Sequence, residues 1–135
     1  MADALRLVVR TPHAAVVDRD VDAARVPTRT GQLGLRPHQE PFVTVVESGL
    51  VILDAGTERR FAATAGGLLR ADRDVALLAT PFAVTGGTGR EVLEALDVAL
   101  AAPDSELVTR RRMALLEQRI VQELDPTHRG RRRDV

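Results

Sequence analysis

The chain has 135 residues, 44% of them hydrophobic, and its 19 basic side chains balance 19 acidic ones. This length allows one main domain with a modest core, and a formal net charge of zero argues against a strong overall attraction to nucleic acid or anionic lipid. Cysteine is absent and every basic residue is Arg, which excludes disulfides, thiolate metal sites, Schiff-base chemistry and a P-loop lysine.

Short segments with apolar residues at every second position fill the first part of the chain and predict β-strands. The first strand is expected over 5–10 and ends near Thr11-Pro12. The next two are expected over 14–17 and 21–26, with a charged turn at residues 18–20 between them. Later strands are predicted over 33–35, 42–46, 50–53, 59–65, 68–69 and 75–80, and 42–46 and 50–53 are expected to form a hairpin around Glu47-Ser48-Gly49.

Two adjacent glycines, Gly66 and Gly67, interrupt the predicted strand pattern. Residues without a side chain at this point predict a bulge or a close approach of two backbone segments. Many short strands at this spacing favour an antiparallel sandwich or barrel over a parallel sheet.

The spacing of apolar residues changes to three and four after residues 85–89, which predicts helices. Thr88 and Glu91 stand three apart, as in a capping box, before an apolar stripe at 92–100. A second helix is predicted from Asp104 or Ser105 to Leu124, and Asp125-Pro126 ends it. The predicted fold is therefore mainly β, with an N-terminal antiparallel β-sandwich over 1–87, a two-helix hairpin over 88–125 and a disordered Arg-rich tail over 126–135.

The chain shows no pattern typical of an enzyme. Ser48 and His38 are the components from which a Ser/His/Asp arrangement would be built, but neither lies in a Gly-x-Ser-x-Gly elbow, and Ser48 before Gly49 fits an ordinary turn. The longest apolar runs, such as 75–79, are far shorter than the roughly 20 residues of a membrane helix, and no targeting signal is present. We expect no catalytic residue, no cofactor and no metal, and a soluble, cytoplasmic protein.

The segment from Gly31 to Phe42, GQLGLRPHQEPF, resembles the epsilon-subunit signature of F-type ATP synthases, Gly-x-Leu-Gly-Ile-x-Pro-Gly-His-x-Pro-Leu. Residues 65–69, AGGLL, are similar to the family's second signature, a small residue and two glycines before a hydrophobic strand. The predicted helix over 111–124 looks closest to the alternate, sodium-type branch of bacterial rotary ATPases. The chain differs where His38 replaces the signature glycine and Gln39 takes the place of the signature histidine, which puts the turn geometry in doubt.

The resemblance implies a non-catalytic subunit of the central stalk, peripheral on the cytoplasmic face of the bacterial plasma membrane. Such a subunit binds the gamma subunit through its sandwich and rests on the c-ring, and it does not insert into the membrane. The family's c-ring contact carries over to Gln32, Arg36, His38 and Gln39, with a surface turn as the open alternative. Structural roles in turns and bulges are expected for Gly34, Pro37, Gly66 and Gly67.

Some family members bind ATP through an Ile/Leu-Asp-x-x-Arg-Ala pattern on the first helix. Here Asp97 is kept, but Leu100 stands where that pattern has the phosphate-binding arginine, so we predict no ATP binding. The triple arginine Arg110, Arg111 and Arg112 resembles the basic part of an inhibitory helix. A solvated face balanced by nearby glutamates is the favoured interpretation, and it predicts that deletion of 104–135 leaves ATPase activity unchanged.

Two other classes stay open. A small ligand-binding β-barrel would need convergent polar groups, for which Arg59, Arg60 and His38 are the candidates. An Arg-rich nucleic-acid-binding module would use the tail, although interleaved aromatic residues are lacking.

Overall fold

The computed structural model describes residues 3–101 of the chain, and these form ten strands and one helix. The elements are β1 Leu5–Arg10, β2 Ala15–Val21, β3 Ala23–Thr28, β4 Gly31–Leu35, β5 Phe42–Val46, β6 Gly49–Ala55, β7 Glu58–Thr64, β8 Gly67–Ala71, β9 Val75–Ala79, β10 Ala83–Gly86 and α1 Gly89–Ala101.

The strands form two five-stranded sheets with the orders β2-β1-β9-β8-β5 and β10-β7-β6-β3-β4. Their inner faces enclose the main core, to which every strand contributes at least one buried or partly buried apolar side chain. The predicted β-sandwich is therefore confirmed. It is not wholly antiparallel, because β1 and β9 pair in parallel, with Arg6 opposite Val75 and Arg10 opposite Ala79. A long connection joins these two strands, so no hairpin forces them to run in opposite directions.

The predicted turn at Asp18-Arg19-Asp20 is wrong, because β2 runs through all three residues. Strand β2 lies at the edge of the first sheet, where polar side chains remain in contact with water and also discourage pairing with another chain. Asp18 lies beside β1 and accepts two hydrogen bonds from the Arg6 guanidinium, each 2.9 Å long. The turn instead falls at Asp22.

The predicted hairpin between 42–46 and 50–53 is also wrong. Both strands exist, but β5 pairs with β8 in the first sheet and β6 pairs with β3 and β7 in the second. Between them the chain crosses from one sheet to the other, and the Glu47 amide donates a 2.8 Å hydrogen bond to the Pro27 carbonyl. Val46 and Val51 are both buried in the core between the sheets, which fixes this crossover.

Strand β10 is an element that the apolar pattern did not predict. Its four residues pair with β7, with Val84 opposite Ala63. A strand this short produces only two alternations of apolar and polar residues, too few to distinguish it from a loop.

Close backbone packing surrounds Gly66, which lies between β7 and β8, and Gly67, the first residue of β8. Gly66 has a φ of 80°, and a Cβ added there would lie 2.7 Å from the Val46 carbonyl oxygen and 2.9 Å from the Ser48 nitrogen. A Cβ on Gly67 would overlap the Ala79 carbonyl oxygen. The pair therefore lets the sheet-to-sheet crossover and the end of β9 approach the same point.

Helix α1 packs on the outer face of the second sheet. The Thr88 hydroxyl accepts a 3.2 Å hydrogen bond from the Glu91 amide, which is the N-terminal half of the predicted capping box. Val92 and Leu96 are buried against Ala63 and Ala65, and the remaining members of this second apolar cluster are partly buried: Leu50, Phe61, Phe82, Val84, Leu93 and Leu100. The predicted second helix, with Arg110, Arg111 and Arg112, and the predicted tail over 126–135 lie outside the described residues.

Candidate functional site: a loop cluster at one end of the sandwich

Strand register brings three connections to one end of the sandwich. Leu35 at the end of β4 lies opposite Ala24, Phe42 at the start of β5 lies opposite Ala71, and Val75 at the start of β9 lies beside Arg6. The chain start before β1, the loop over 36–41 and the turn over 72–74 are therefore neighbours. We call these three segments the end cluster.

Gln39 ties the loop to the turn through both its backbone and its side chain. Its amide N–H donates to the Arg73 carbonyl at 3.1 Å, and its side-chain Nε2 donates to the Asp72 carbonyl at 3.2 Å. Its Oε1 accepts a 3.3 Å hydrogen bond from the Arg36 amide. A glutamine at this position therefore closes the loop on itself and fixes it to the turn between β8 and β9.

His38 occupies the turn position that the family signature reserves for glycine, and it adopts the corresponding left-handed conformation with a φ of 62°. Its backbone N–H donates to Asp74 Oδ1 at 3.0 Å. Its ring Nε2 lies 3.0 Å from Asp3 Oδ2, and Nδ1 lies 3.4 Å from Asp74 Oδ1. Histidine tolerates this backbone region better than most residues, and three contacts to two carboxylates hold it there.

The structure brings together three of the four residues predicted to contact a partner. Arg36, His38 and Gln39 share the loop of the end cluster, and Arg36 is exposed. Gln32 is exposed on β4, opposite Pro27, outside this hydrogen-bond network. Asp3, Asp72 and Asp74 complete the network, although no sequence pattern assigned them to it, because their contacts with His38 and Gln39 span more than 30 residues of chain.

Pro37 and Gly34 differ in their structural roles. Pro37 is half-buried in the loop directly before His38. Gly34, predicted to shape a turn, lies instead inside β4, its φ is not positive, and an added Cβ would meet no atom within 4 Å. The alternation of Leu33 and Leu35 toward the core continues through it, so its conformation does not require glycine.

The three candidates for a small-molecule site do not converge. Arg59 and Arg60 are neighbours on a strand and therefore point to opposite sides of it. Arg59 contacts Asp54 at 2.7 Å, Arg60 contacts Glu58 at 3.5 Å, and His38 lies in the end cluster. Of the three, Arg60 alone lines the cleft of about 170 Å³ between the edges β2 and β10. The Arg59 hydrogen bond is the largest cause that holds the pKa of Asp54 below its usual value.

Within residues 3–101, no group of three or more His, Asp or Glu side chains is arranged to hold a metal ion. The helix in this part of the chain is too short and too polar to cross a bilayer. On α1, Asp97 is exposed, and Leu100 packs into the apolar cluster beneath the helix. Leu100, which stands where the ATP-binding pattern has an arginine, is therefore a packing residue.

The described residues form a β-sandwich domain with a filled core and a hydrogen-bonded polar loop cluster at one end. The family model described as ATP synthase, Delta/Epsilon chain, beta-sandwich domain matches residues 4–86. The chain belongs to this family, as the two signatures predicted.

Individual relatives agree with this assignment. The chain is 33% identical over 112 residues to the ATP synthase epsilon chain of Anoxybacillus flavithermus, covering 82% of this chain and 77% of that one. It is 37% identical over 84 residues to the epsilon chain of Anaeromyxobacter sp. strain K, covering 62% of this chain and 64% of that relative's length.

Solved structures share the fold. A chain in the OSCP/F1/c-ring structure of the Euglena gracilis mitochondrial ATP synthase superposes with a TM-score of 0.57 at 19% identity. That match covers 88% of this chain and 81% of the Euglena chain.

Proposed function

We propose that this chain is a non-catalytic, epsilon-like subunit of the central stalk of a rotary F-type ATP synthase. In this role it binds the gamma subunit and the c-ring, and thereby couples ion translocation to ATP synthesis or hydrolysis. It acts as a peripheral part of the complex on the cytoplasmic face of the bacterial plasma membrane. The observation that carries the proposal is the family match over residues 4–86, which spans the whole sandwich.

The end cluster is the proposed contact with the c-ring. Residues 36–39 lie in the first signature, and the structure holds this loop by hydrogen bonds to the turn over 72–74. A loop that is already fixed loses little conformational freedom when it binds, so more of its contact energy remains for the complex. Arg36, His38 and Gln39 present exposed or half-exposed polar groups at this end, and Gln32 extends the polar surface along β4.

Co-purification tests the proposed function directly. We expect the full chain, co-expressed with the gamma subunit and the c-ring of the same organism, to be recovered in one complex with them. Failure of the wild-type chain to bind either component would contradict the proposal.

A matched pair of charge reversals tests the assigned loop. Arg36→Glu should weaken c-ring binding about tenfold, because it changes the charge of a residue at the proposed contact. Arg90→Glu on α1, where the Arg90 side chain is 89% exposed, should leave c-ring binding unchanged. If the two variants weakened c-ring binding equally, the end cluster would not be the contact with the c-ring.

We further propose that α1 does not bind ATP, since Leu100 offers no cation to a phosphate. Calorimetric titration of the purified chain should give no saturable signal at micromolar ATP. The prediction that deletion of 104–135 leaves the ATPase activity of the complex unchanged concerns residues outside the described part and stays a prediction.

A further inference from the structure

The cleft between the edge strands β2 and β10 carries arginines that lie on the inner sides of both sheets. On β2, Arg19 stands between Val17 and Val21, which are both buried in the core. On β7, Arg60 stands two residues before the core residue Ala62, so it lies on the same side of its strand. Two strands from different sheets therefore bring a guanidinium group to the same cleft.

A single carboxylate oxygen lies beside both guanidinium groups. Arg19 Nη1 is 3.4 Å from Glu58 Oε1, and Arg60 Nη1 is 3.5 Å from the same atom. Both distances exceed the 2.7–2.9 Å or so of a strong charge-assisted hydrogen bond. Asp18 also lines the cleft, but its two oxygens accept hydrogen bonds from Arg6. Within residues 3–101, two cations therefore share the one carboxylate of Glu58, which leaves an excess positive charge at the cleft.

The walls of the cleft are largely apolar. A volume of about 170 Å³ is open between them. Since a water molecule takes up about 30 Å³ in the liquid, this space suits a ligand of about six to eight non-hydrogen atoms. Thr85 adds a hydroxyl group on the same side of the second sheet as Ala62, its partner in the register. The apolar lining residues are Val16, Val17, Leu53 and Phe61.

We propose that this cleft binds a short-chain aliphatic carboxylate. The carboxylate of the ligand takes the place of Glu58 between Arg19 and Arg60, because planar guanidinium groups match the geometry of a carboxylate. The aliphatic chain lies against Leu53 and Phe61, whereas a bare inorganic anion would leave these walls unused. The Glu58 side chain is 54% exposed, so it is free to swing into water when the ligand enters.

This site is separate from the proposed contacts of the central stalk. None of its lining residues belongs to the end cluster, and binding requires neither the gamma subunit nor the c-ring. The inference therefore goes beyond the proposed function and is tested on the full chain alone.

Hexanoate is the probe for wild-type binding, because its size lies in the range that the cleft admits. Its titration into the full chain is followed by NMR through the methyl signals of Val17 and Leu53, which line the cleft. Saturable shifts with a dissociation constant in the millimolar range are expected for so small a ligand. Acetate lacks the aliphatic chain and 1-hexanol lacks the charge, so each should bind at least about fivefold more weakly.

Substitutions of three neighbours on β7 should change hexanoate binding in different directions. Arg60→Gln should weaken it at least about fivefold, because one cation is lost. Glu58→Gln should tighten it about threefold or more, because the competing carboxylate is removed. Arg59→Gln is the matched control, since the Arg59 guanidinium lies on the other side of the strand and pairs with Asp54. It should change binding by less than about twofold.

Each result either supports the proposed site or overturns it. The proposal fails if the wild-type chain gives no saturable shift, or if 1-hexanol or acetate binds as tightly as hexanoate. Glu58→Gln that binds more weakly than wild type would show that no ligand carboxylate takes the place of Glu58. Circular dichroism checks that each variant is folded, and Arg19→Gln provides the same test if Arg60→Gln does not fold. Co-purification with the gamma subunit and the c-ring is measured separately, so neither failure implies the other.

Discussion

Replacement of Gly66 by alanine is the sharpest test of how the two sheets are joined. At a φ of 80°, an L-residue costs about 1–2 kcal/mol relative to its ordinary backbone conformations. The new Cβ would also lie 2.7 Å from the Val46 carbonyl oxygen and 2.9 Å from the Ser48 nitrogen. Both are backbone atoms of the crossover from β5 to β6, so relief requires a shift of that crossover, at the cost of about 1–3 kcal/mol that overpacking usually causes.

The two costs together give an expected loss of about 2–5 kcal/mol in the free energy of unfolding. For a domain of this size, each kcal/mol lowers the melting temperature by about 4–8 °C, so a fall of at least about 8 °C is expected. Tyr and Trp are absent from the chain, so urea unfolding is best followed by far-UV circular dichroism or calorimetry.

Gly34→Ala is the matched control for this prediction. An added Cβ at Gly34 meets no atom within 4 Å, and its φ is not positive. The change should therefore alter the free energy of unfolding by less than about 0.5 kcal/mol. A Gly66→Ala protein as stable as the wild type, or a Gly34→Ala protein equally destabilised, would refute the role assigned to the crossover.

Three further predictions concern the ion pairs, the end cluster and the helix. The hydrogen bond from Arg6 is the largest cause of the lowered pKa of Asp18. A carboxyl whose pKa is lower in the folded than in the unfolded protein stabilises the folded state at pH values above its unfolded pKa of about 3.9. This small contribution of Asp18 should therefore disappear as the pH falls below about 4. NMR titration should find the Asp18 midpoint rising in Arg6→Gln, and an unchanged midpoint would contradict the pairing. Gln39→Ala removes the two side-chain hydrogen bonds of Gln39 and should cost about 1 kcal/mol and accelerate amide exchange in the loop over 36–39. Unchanged stability and exchange would mean that these two bonds are not formed in solution. Leu96→Ala should lower the free energy of unfolding by about 2–4 kcal/mol, because Leu96 is buried between α1 and the second sheet. Val98→Ala, at an exposed position of the same helix, should change it by less than about 0.5 kcal/mol. Similar losses in the two variants would mean that the helix does not pack as described.

The sequence predicted most strands because the fold buries one face of each. In β1, the alternation of Leu5, Leu7 and Val9 with exposed or half-exposed residues is the direct result of this burial. The errors have a common cause. The Asp18–Asp20 segment has the composition of a turn. It is nevertheless part of β2, because β2 is an edge strand and an edge strand tolerates polar residues. Likewise, a short turn between two apolar runs is equally compatible with a hairpin and with a crossover between sheets.

Family membership was also visible in the sequence, because the signatures contain glycines at positions with a positive φ, namely Gly31, Gly66 and Gly67. The first signature identified the loop over 36–39, although its own glycine is replaced by His38. The replacement is compatible with the turn because Asp3 and Asp74 hold His38 in a conformation with a φ of 62°.

By itself, the sequence determined the class of fold, the positions of most strands and the start of the helix, since these depend on periodicity, capping and turn residues that are neighbours in the chain. The tertiary structure alone decided which strands pair, which edge Asp18 occupies, which carboxylates hold His38 and which arginines meet beside Glu58. These features depend on contacts between residues far apart in the chain, because burial and hydrogen bonding between distant strands leave no fixed spacing in the sequence.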